Sequence, residues 1–272
     1  MKMRLTAAIL AGMTAFSMMT ACVSADENAI DKIKSAGKIV MTTNAEFEPF
    51  EYKDGDEIVG IDLDISHALA DKLGVELEVA DIAFDSLIPS LNAGKADFIA
   101  AGMTATPERE KNVDFSVPYF NASQSIIVKT DSEIAGRADL NGKTVGVQQG
   151  TTGDVYCTNE DQSSDVSVKE VKRYAKGMDA VSDLIAGRVD AVVIDDYPAE
   201  KLVSKNPDKI KKLEEALTEE TYAIAMPKGS DLKPVVDELI QELNDSGKMD
   251  EIIGRYIQLD DADSSAAEAV AE

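Results

Sequence analysis

Leu91-Asn92-Ala93-Gly94-Lys95-Ala96-Asp97 runs into Phe98-Ile99-Ala100-Ala101-Gly102, and the phrase returns as Leu184-Ile185-Ala186-Gly187-Arg188-Val189-Asp190 running into Ala191-Val192-Val193-Ile194-Asp195. Each copy reads as a helix end, a glycine free to take the left-handed closing conformation, a short turn and a buried strand. The copies lie about a hundred residues apart, too far for a solenoid repeat. They predict two similar α/β lobes. Strands in such lobes aim their C-terminal ends at a ligand crevice. Gly102 and Asp195 each stand five residues past the aspartate of their copy, so two equivalent strand tips are expected to face one cleft.

The chain around these phrases alternates strand and helix. Lys38–Met41, Val75–Val79 and Lys95–Ala100 read as strands, with helices over Ile30–Ser35, Asp62–Leu73 and Ser86–Ala93. Asp54-Gly55 marks a hairpin. The second unit repeats the scheme, with strands at Thr144–Val147, Val166–Val171, Ala191–Ile194 and Tyr222–Met226. Helices are expected over Thr152–Asn159, Asp179–Ala186, Asp196–Ser204, Leu232–Leu243 and Asp250–Tyr256. This alternation predicts an α/β fold whose sheets are mainly parallel and flanked by helices.

The 272 residues suffice for one large domain or two ordinary ones, and a hydrophobic content of 44% builds their cores. Lys2 and Arg4 precede a run of apolar or small residues from Leu5 to Met19, followed by Thr20-Ala21-Cys22. Residues 1–21 therefore read as a signal peptide, too short for a stable membrane span. Cleavage after Ala21 leaves Cys22 at the new N-terminus. The segment resembles a bacterial lipoprotein signal, in which that cysteine is diacylated, with Met19 where leucine is usual. A plain secretory signal with an incidental cysteine is the alternative. The implied location is extracytoplasmic, lipid-anchored to the bacterial cell membrane, or periplasmic without the anchor. Residues 22–37 form the anchored linker, and the small, acidic stretch 260–272 reads as a disordered tail.

The net charge of −24 becomes −26 once Lys2 and Arg4 are removed. That acidity argues against nucleic acid and anionic lipid as partners. Cys157, the other cysteine, reads as a small buried residue. Catalytic options are few. The single histidine, His67, lies about 160° around its helix from Ile65 and Leu69, toward solvent. No His–Cys cluster has zinc spacing, so neither metal nor cofactor is expected. Gly142-Lys143-Thr144 lacks the upstream glycine of a phosphate loop, because Arg137 stands there.

The strand tips carry the remaining chemistry. Thr106 and Pro107 suit an N-cap and first helical position, which puts Arg109 in a first turn. Its guanidinium there either pairs with Glu108 or Glu110 or holds a carboxylate bidentately. Thr151 and Thr152 follow a strand and the Gly150 turn, and serve either as an ordinary N-cap or as an anion site. Asp195, beside Asp196, either caps the next helix, its commoner role taken singly, or accepts an ammonium group. Phe47 and Phe84 are either core or a sandwich for a ligand's aliphatic part. Together, a cation on one lobe and an anion on the other fit a free α-amino acid.

The order and spacing of Phe47-Glu48-Pro49-Phe50-Glu51, Gly60-Ile61-Asp62-Leu63-Asp64, Ala101-Gly102-Met103-Thr104 to Arg109, Asp114-Phe115-Ser116 with Pro118-Tyr119, Gly150-Thr151-Thr152 and Met226-Pro227-Lys228-Gly229-Ser230 closely resemble the family 3 extracellular solute-binding proteins, which feed polar amino acids to ABC importers. The similarity covers about Lys38 to Leu259. It implies the two-lobed periplasmic-binding-protein-like fold of type II, with one lobe from 38–119 and 222–259, the other from 123–218, and crossovers near Tyr119–Ser123 and Glu219–Tyr222. It implies a likely-monomeric binder, not an enzyme, that hands its ligand to membrane permease subunits served by a cytoplasmic ATPase. By analogy Arg109, Thr104 and the Thr151 backbone hold the ligand carboxylate. Asp195 and the Gly102 carbonyl hold the ammonium, Phe47 and Phe84 stack on the side chain, and Asn44 and Gln148 read its end. Asparagine rather than aspartate at position 44 favours a neutral polar ligand, while Glu46 nearby leaves a cationic one open. Some dehydratases acting on cyclic amino-acid precursors share this resemblance. For that chemistry Glu46 and Asp195 are the available acid and base.

Overall fold

The computed structural model describes residues 28–257 apart from 161 and 163. The signal, Cys22 and the acidic tail fall outside them. Helix α1 (Ala29–Ala36) leads into β1 (Lys38–Thr43), and β2 (Glu46–Phe47), β3 (Glu51–Asp54) and β4 (Glu57–Val59) form a small antiparallel sheet. Then come α2 (Ile61–Leu73), β5 (Glu76–Asp81), α3 (Leu87–Asn92), β6 (Phe98–Ile99) and β7 (Val113–Phe115). The chain crosses over along β8 (Phe120–Ala122) into β9 (Gln124–Lys129). The second lobe continues with β10 (Thr144–Gln148), α4 (Thr152–Thr158), β11 (Glu170–Tyr174), α5 (Gly177–Ile185), β12 (Ala191–Asp195), α6 (Asp196–Ser204) and β13 (Ile210–Lys212). The return crossover β14 (Glu220–Tyr222) pairs antiparallel with β8 and delivers β15 (Ala225–Pro227), α7 (Leu232–Asp245) and α8 (Lys248–Tyr256).

The two large sheets are built alike. One runs β5-β1-β6-β15-β7 and the other β11-β10-β12-β9-β13. In each, the strand delivered by a crossover from the other lobe, β15 or β9, enters antiparallel to its neighbours. The other neighbouring pairs are parallel.

The repeated phrase makes the same bonds twice. Gly94 (φ 67°) and Gly187 (φ 71°) close their helices in the left-handed region. Their N–H groups donate to Leu91 O at 2.9 Å and Leu184 O at 3.0 Å. Asp97 then accepts from Val40 N–H at 2.7 Å, and Asp190 from Thr144 N–H at 2.8 Å, each at the neighbouring strand. Each aspartate's own N–H returns a bond of 2.8 Å to the carbonyl of that same residue. The aspartate thus fixes the register that carries its strand tip to the cleft.

Three expected strands differ. Lys95–Ala100 pairs only over Phe98–Ile99, because the turn and the aspartate bridge occupy its start. Val166–Val171 is displaced to Glu170–Tyr174, and Val166 is buried in the second lobe's core without pairing. Tyr222–Met226 is divided, since Ala223 N–H bonds Met103 O at 3.0 Å and Ile224 N–H bonds Ser116 Oγ at 3.0 Å, between the crossover and the sheet. His67 is exposed and Cys157 is buried, its thiol pushed up to about 12 by burial.

Candidate functional site

Both repeated strand tips open on one narrow cleft. Its walls include Asn44, Phe47, Phe84, Gly102, Thr104 and Arg109 from the first lobe and Gln148, Thr151 and Asp195 from the second. All nine residues singled out from the sequence meet there. Thr152, read with Thr151 as a helix cap or an anion site, lines it too, and so does Glu51, which the sequence reading did not single out. Glu46 does not. Strand alternation turns Phe47 into the cleft and leaves Glu46 on the opposite side, where it pairs with Lys176.

Arg109 starts a 3₁₀ turn whose N–H meets Thr106 Oγ1 at 3.3 Å. Its guanidinium does not pair with Glu108, which holds Lys111 instead. It reaches inward, donating Nη1 to Thr104 O at 2.7 Å and Nη2 to Gly150 O of the other lobe at 3.0 Å, and lies 5.4 Å from the Phe84 ring centroid. Desolvation lowers its pKa while Glu220 and Asp195 act to raise it. A guanidinium remains charged throughout.

Asp195 ends β12 in the N-cap position of α6, yet its side chain makes no cap bond. The carboxylate accepts from Tyr222 O–H at 2.6 Å instead. Burial, with the nearby Glu220 charge, pushes its pKa up to about 7. Thr151 does cap α4, its Oγ1 accepting from Asp154 N–H at 3.2 Å and donating to Gln148 O at 2.8 Å. The first intrahelical bond runs from Val155 to Thr151 O at 3.2 Å, so the amides of Thr152 and Gly153 carry no intrahelical bond.

The Gly102 turn is held from below. Asp62 accepts Gly102 N–H at 2.8 Å and Tyr119 O–H at 2.7 Å. A Cβ at Gly102 would come within 2.6 Å of the Phe47 ring, so only glycine lets that ring cover the cleft. Glu51 lies beside Asp62, fully buried, with Oε2 lacking a hydrogen-bond partner. Burial raises both acids, Asp62 to about 6 and Glu51 well above the usual carboxylate range.

At the opposite end, two amides fix each other. Asn44 donates Nδ2 to Ile82 O at 2.9 Å, and its Oδ1 accepts Gln148 Nε2 at 2.9 Å across the cleft. Gln148 Nε2 also meets Ala175 O at 3.3 Å. Gln148 thereby commits both of its N–H bonds and Asn44 one of its two, so the polar surface at this end is the two amide oxygens with the remaining Asn44 N–H.

The lobes are clasped at the rim as well. Lys205 meets Glu48 at 2.6 Å, and Gln149 Nε2 meets Asp85 at 3.0 Å. Phe47 packs on the cores of both lobes. Arg109 is the one cation among the described lining residues, and the two acids there, Glu51 and Asp195, are both raised by burial. An ammonium placed beside Asp195 would remove the proton that burial holds there. Calorimetry near pH 6.5, in two buffers of different ionisation enthalpy, is therefore expected to show net proton release on binding, since the Asp195 pKa is pushed up to about 7. Binding with no proton release contradicts this assignment.

Among the described residues no group of three or more His, Cys, Asp or Glu side chains is placed to hold a metal ion, and no helix is long and apolar enough to cross a membrane. Residues 39–259 match the family model of the bacterial extracellular solute-binding proteins, family 3. The chain is 38% identical over 240 residues to the arginine-binding extracellular protein ArtP of Bacillus subtilis, covering 86% of this chain and 90% of that one. Among solved structures it resembles the P235GK mutant of ArgBP from T. maritima, with 44% identity, a TM-score of 0.79, and coverage of 85% of this chain and 99% of that one. It also resembles the ancestral amino acid-binding protein AncCDT-1, a precursor of cyclohexadienyl dehydratase, at 31% identity and a TM-score of 0.75, covering 84% and 98% of the two chains. Two sheet-bearing lobes, the charged cleft between them and these likenesses agree: the chain belongs to the bacterial extracellular solute-binding proteins, family 3.

Proposed function

We propose that this protein captures a free L-amino acid with a cationic side chain, L-arginine above others, outside the cytoplasmic membrane and hands it to the permease subunits of an ABC importer. The observation that carries the side-chain assignment is the Asn44–Gln148 pair. With three of the four amide N–H bonds committed, that end of the cleft offers mainly acceptors, which suits a ligand terminus made of donors, and a guanidinium is such a terminus. Glu51, with its unpartnered oxygen, adds a second buried carboxyl group to the same cavity. The Bacillus subtilis relative, named as arginine-binding, and ArgBP from T. maritima, a variant of which is described as arginine-bound, support the same ligand.

In this reading Arg109 with the Thr151 backbone takes the α-carboxylate, and Thr104, expected to join them, does so only through its backbone, because its hydroxyl proton is given to Glu220; Asp195 and the Gly102 carbonyl take the ammonium, and Phe47 and Phe84 cover the aliphatic chain. Lobe one comprises 38–119 and 222–259, and lobe two 123–218. The paired crossovers β8 and β14 serve as the hinge on which the cleft closes over its ligand. The signal peptide and an acylated Cys22 tether the protein to the outer face of the membrane, where it acts as a monomer. A dehydratase would need an acid and a base in the cleft. Glu46, named from the sequence as the partner of Asp195 in that role, is held by Lys176 outside the lining.

A thermal-shift comparison of L-arginine, L-lysine, L-glutamine and L-glutamate tests the ligand. A ligand at a hundred times its Kd stabilises by about 2.7 kcal/mol. For a chain of this size that is roughly 5–10 °C. Arginine is expected to give the largest shift and glutamate none. A largest shift with glutamate or glutamine contradicts the assignment.

A further inference from the structure

Glu220 has no part in the roles above, yet it gathers hydroxyls from both lobes. It lies half-buried in the return crossover β14. Its Oε2 accepts from Thr104 Oγ1 of the first lobe at 2.7 Å and from Thr152 Oγ1 of the second at 2.8 Å. Its Oε1 accepts from Thr218 Oγ1 at 2.7 Å. Gln124, in the strand that follows the other crossover, donates Nε2 to Thr152 Oγ1 at 3.1 Å and its N–H to Thr218 Oγ1 at 2.9 Å. One carboxylate is thus the common acceptor of three threonines brought together from the hinge and both lobes.

A hydroxyl carries one proton. Thr104 has committed its proton to Glu220, so toward the cleft its oxygen offers only lone pairs. The Asp195 carboxylate and the Gly102 carbonyl belong to the same cleft, and both are acceptors. Three acceptors match the three N–H bonds of a primary ammonium. Without Glu220, the Thr104 hydroxyl is free to rotate and donate, and a donor facing an ammonium loses that match. We propose that Glu220 is a positioning residue that holds the Thr104 hydroxyl as an acceptor and thereby makes the cleft selective for a free primary α-ammonium. This rests on the amino-acid reading above but not on which side chain the ligand bears.

The test is calorimetry on wild type, Glu220→Gln, Glu220→Ala, Thr104→Val and the Glu220→Ala/Thr104→Val double variant. Two ligands are compared, L-arginine and 5-guanidinopentanoate, which keeps the carboxylate and guanidinium but lacks the amine. Wild type is expected to prefer arginine strongly, and Glu220→Ala to shrink that preference by about tenfold or more, the value of one charge-assisted hydrogen bond. Thr104→Val shrinks it alone but adds little in the double variant, because both changes remove one interaction. The near-isosteric Glu220→Gln, which has a single acceptor oxygen in place of two, shifts the ratio in the same direction. A merely structural hinge role weakens both ligands by one factor. An unchanged ratio, or additive effects in the double variant, overturns the proposal. If wild type fails to bind L-arginine, the arginine assignment falls, and the same ratio is measured with L-glutamine and 4-carbamoylbutanoate. Binding of neither amino acid overturns both readings.

Discussion

Replacing Arg109 by alanine is expected to weaken arginine binding at least about a hundredfold, with little change in the melting temperature of the ligand-free protein. The loss arises in the complex. The ligand carboxylate enters a cleft in which Arg109 is the only lining cation among the described residues. Removing one partner of a buried ion pair leaves the other charge uncompensated, which costs roughly 3–5 kcal/mol. In the ligand-free protein the guanidinium serves only two carbonyls, Thr104 O and Gly150 O, of which the second belongs to the other lobe. Water can replace those bonds when the cleft opens. Arg109→Lys should fall between the two, because an ammonium keeps the charge but cannot match the carboxylate with a planar fork. Calorimetry decides this, and near-normal affinity in the alanine variant contradicts the assignment.

Asp195→Asn is expected to act with opposite signs on binding and stability. The ligand ammonium loses its charged acceptor in a buried site, a loss of roughly 2–4 kcal/mol, or about a hundredfold in Kd. Stability moves the other way. The folded Asp195 pKa of about 7 stands above the unfolded value near 3.9. The folded state therefore holds a proton that the unfolded chain has lost. That contribution is fully present below about pH 4 and is lost as the pH rises through 7. Above pH 7 the buried carboxylate destabilises the ligand-free protein by roughly 3–4 kcal/mol relative to acid conditions. Asparagine fills the same space, still accepts from Tyr222 O–H and carries no charge. At pH 8 the ligand-free variant should melt roughly 5 °C or more above wild type. At pH 5 the gap should narrow sharply. A variant that melts lower than wild type at pH 8 would show that the Asp195 charge is not a strain on the closed cleft.

The residues that made the site legible are those placed by the repeat. Gly102 and Asp195 follow from counting past two matching aspartates, and Asp97 and Asp190 do anchor equivalent registers. Arg109 and Thr151 follow from turn and cap chemistry next to those strand tips. Other features depend on contacts between distant segments. Glu51 reads in sequence as one residue of a short hairpin strand, and only the packing of that strand beneath Gly102 shows that its carboxylate is buried in the cleft wall. Glu220 gains its threonine partners once both crossovers are paired, bringing residues 104, 152 and 218 to one place. Glu46 illustrates the converse. It stands next to Phe47 in sequence, but adjacent residues of a strand face opposite sides, and the salt bridge to Lys176 holds it at the rim. The antiparallel strands β9 and β15 were hidden for a related reason. Local alternation marks parallel βα units, whereas these strands owe their place to a chain arriving from the other lobe.

A crystal structure with L-arginine bound tests the central claim most directly. The account predicts the α-carboxylate on the Arg109 guanidinium, the ammonium on Asp195, and the ligand guanidinium against the oxygens of Asn44 and Gln148. An arginine bound in the reverse direction, or one whose carboxylate leaves Arg109 still bonded to the Thr104 and Gly150 carbonyls, would contradict it.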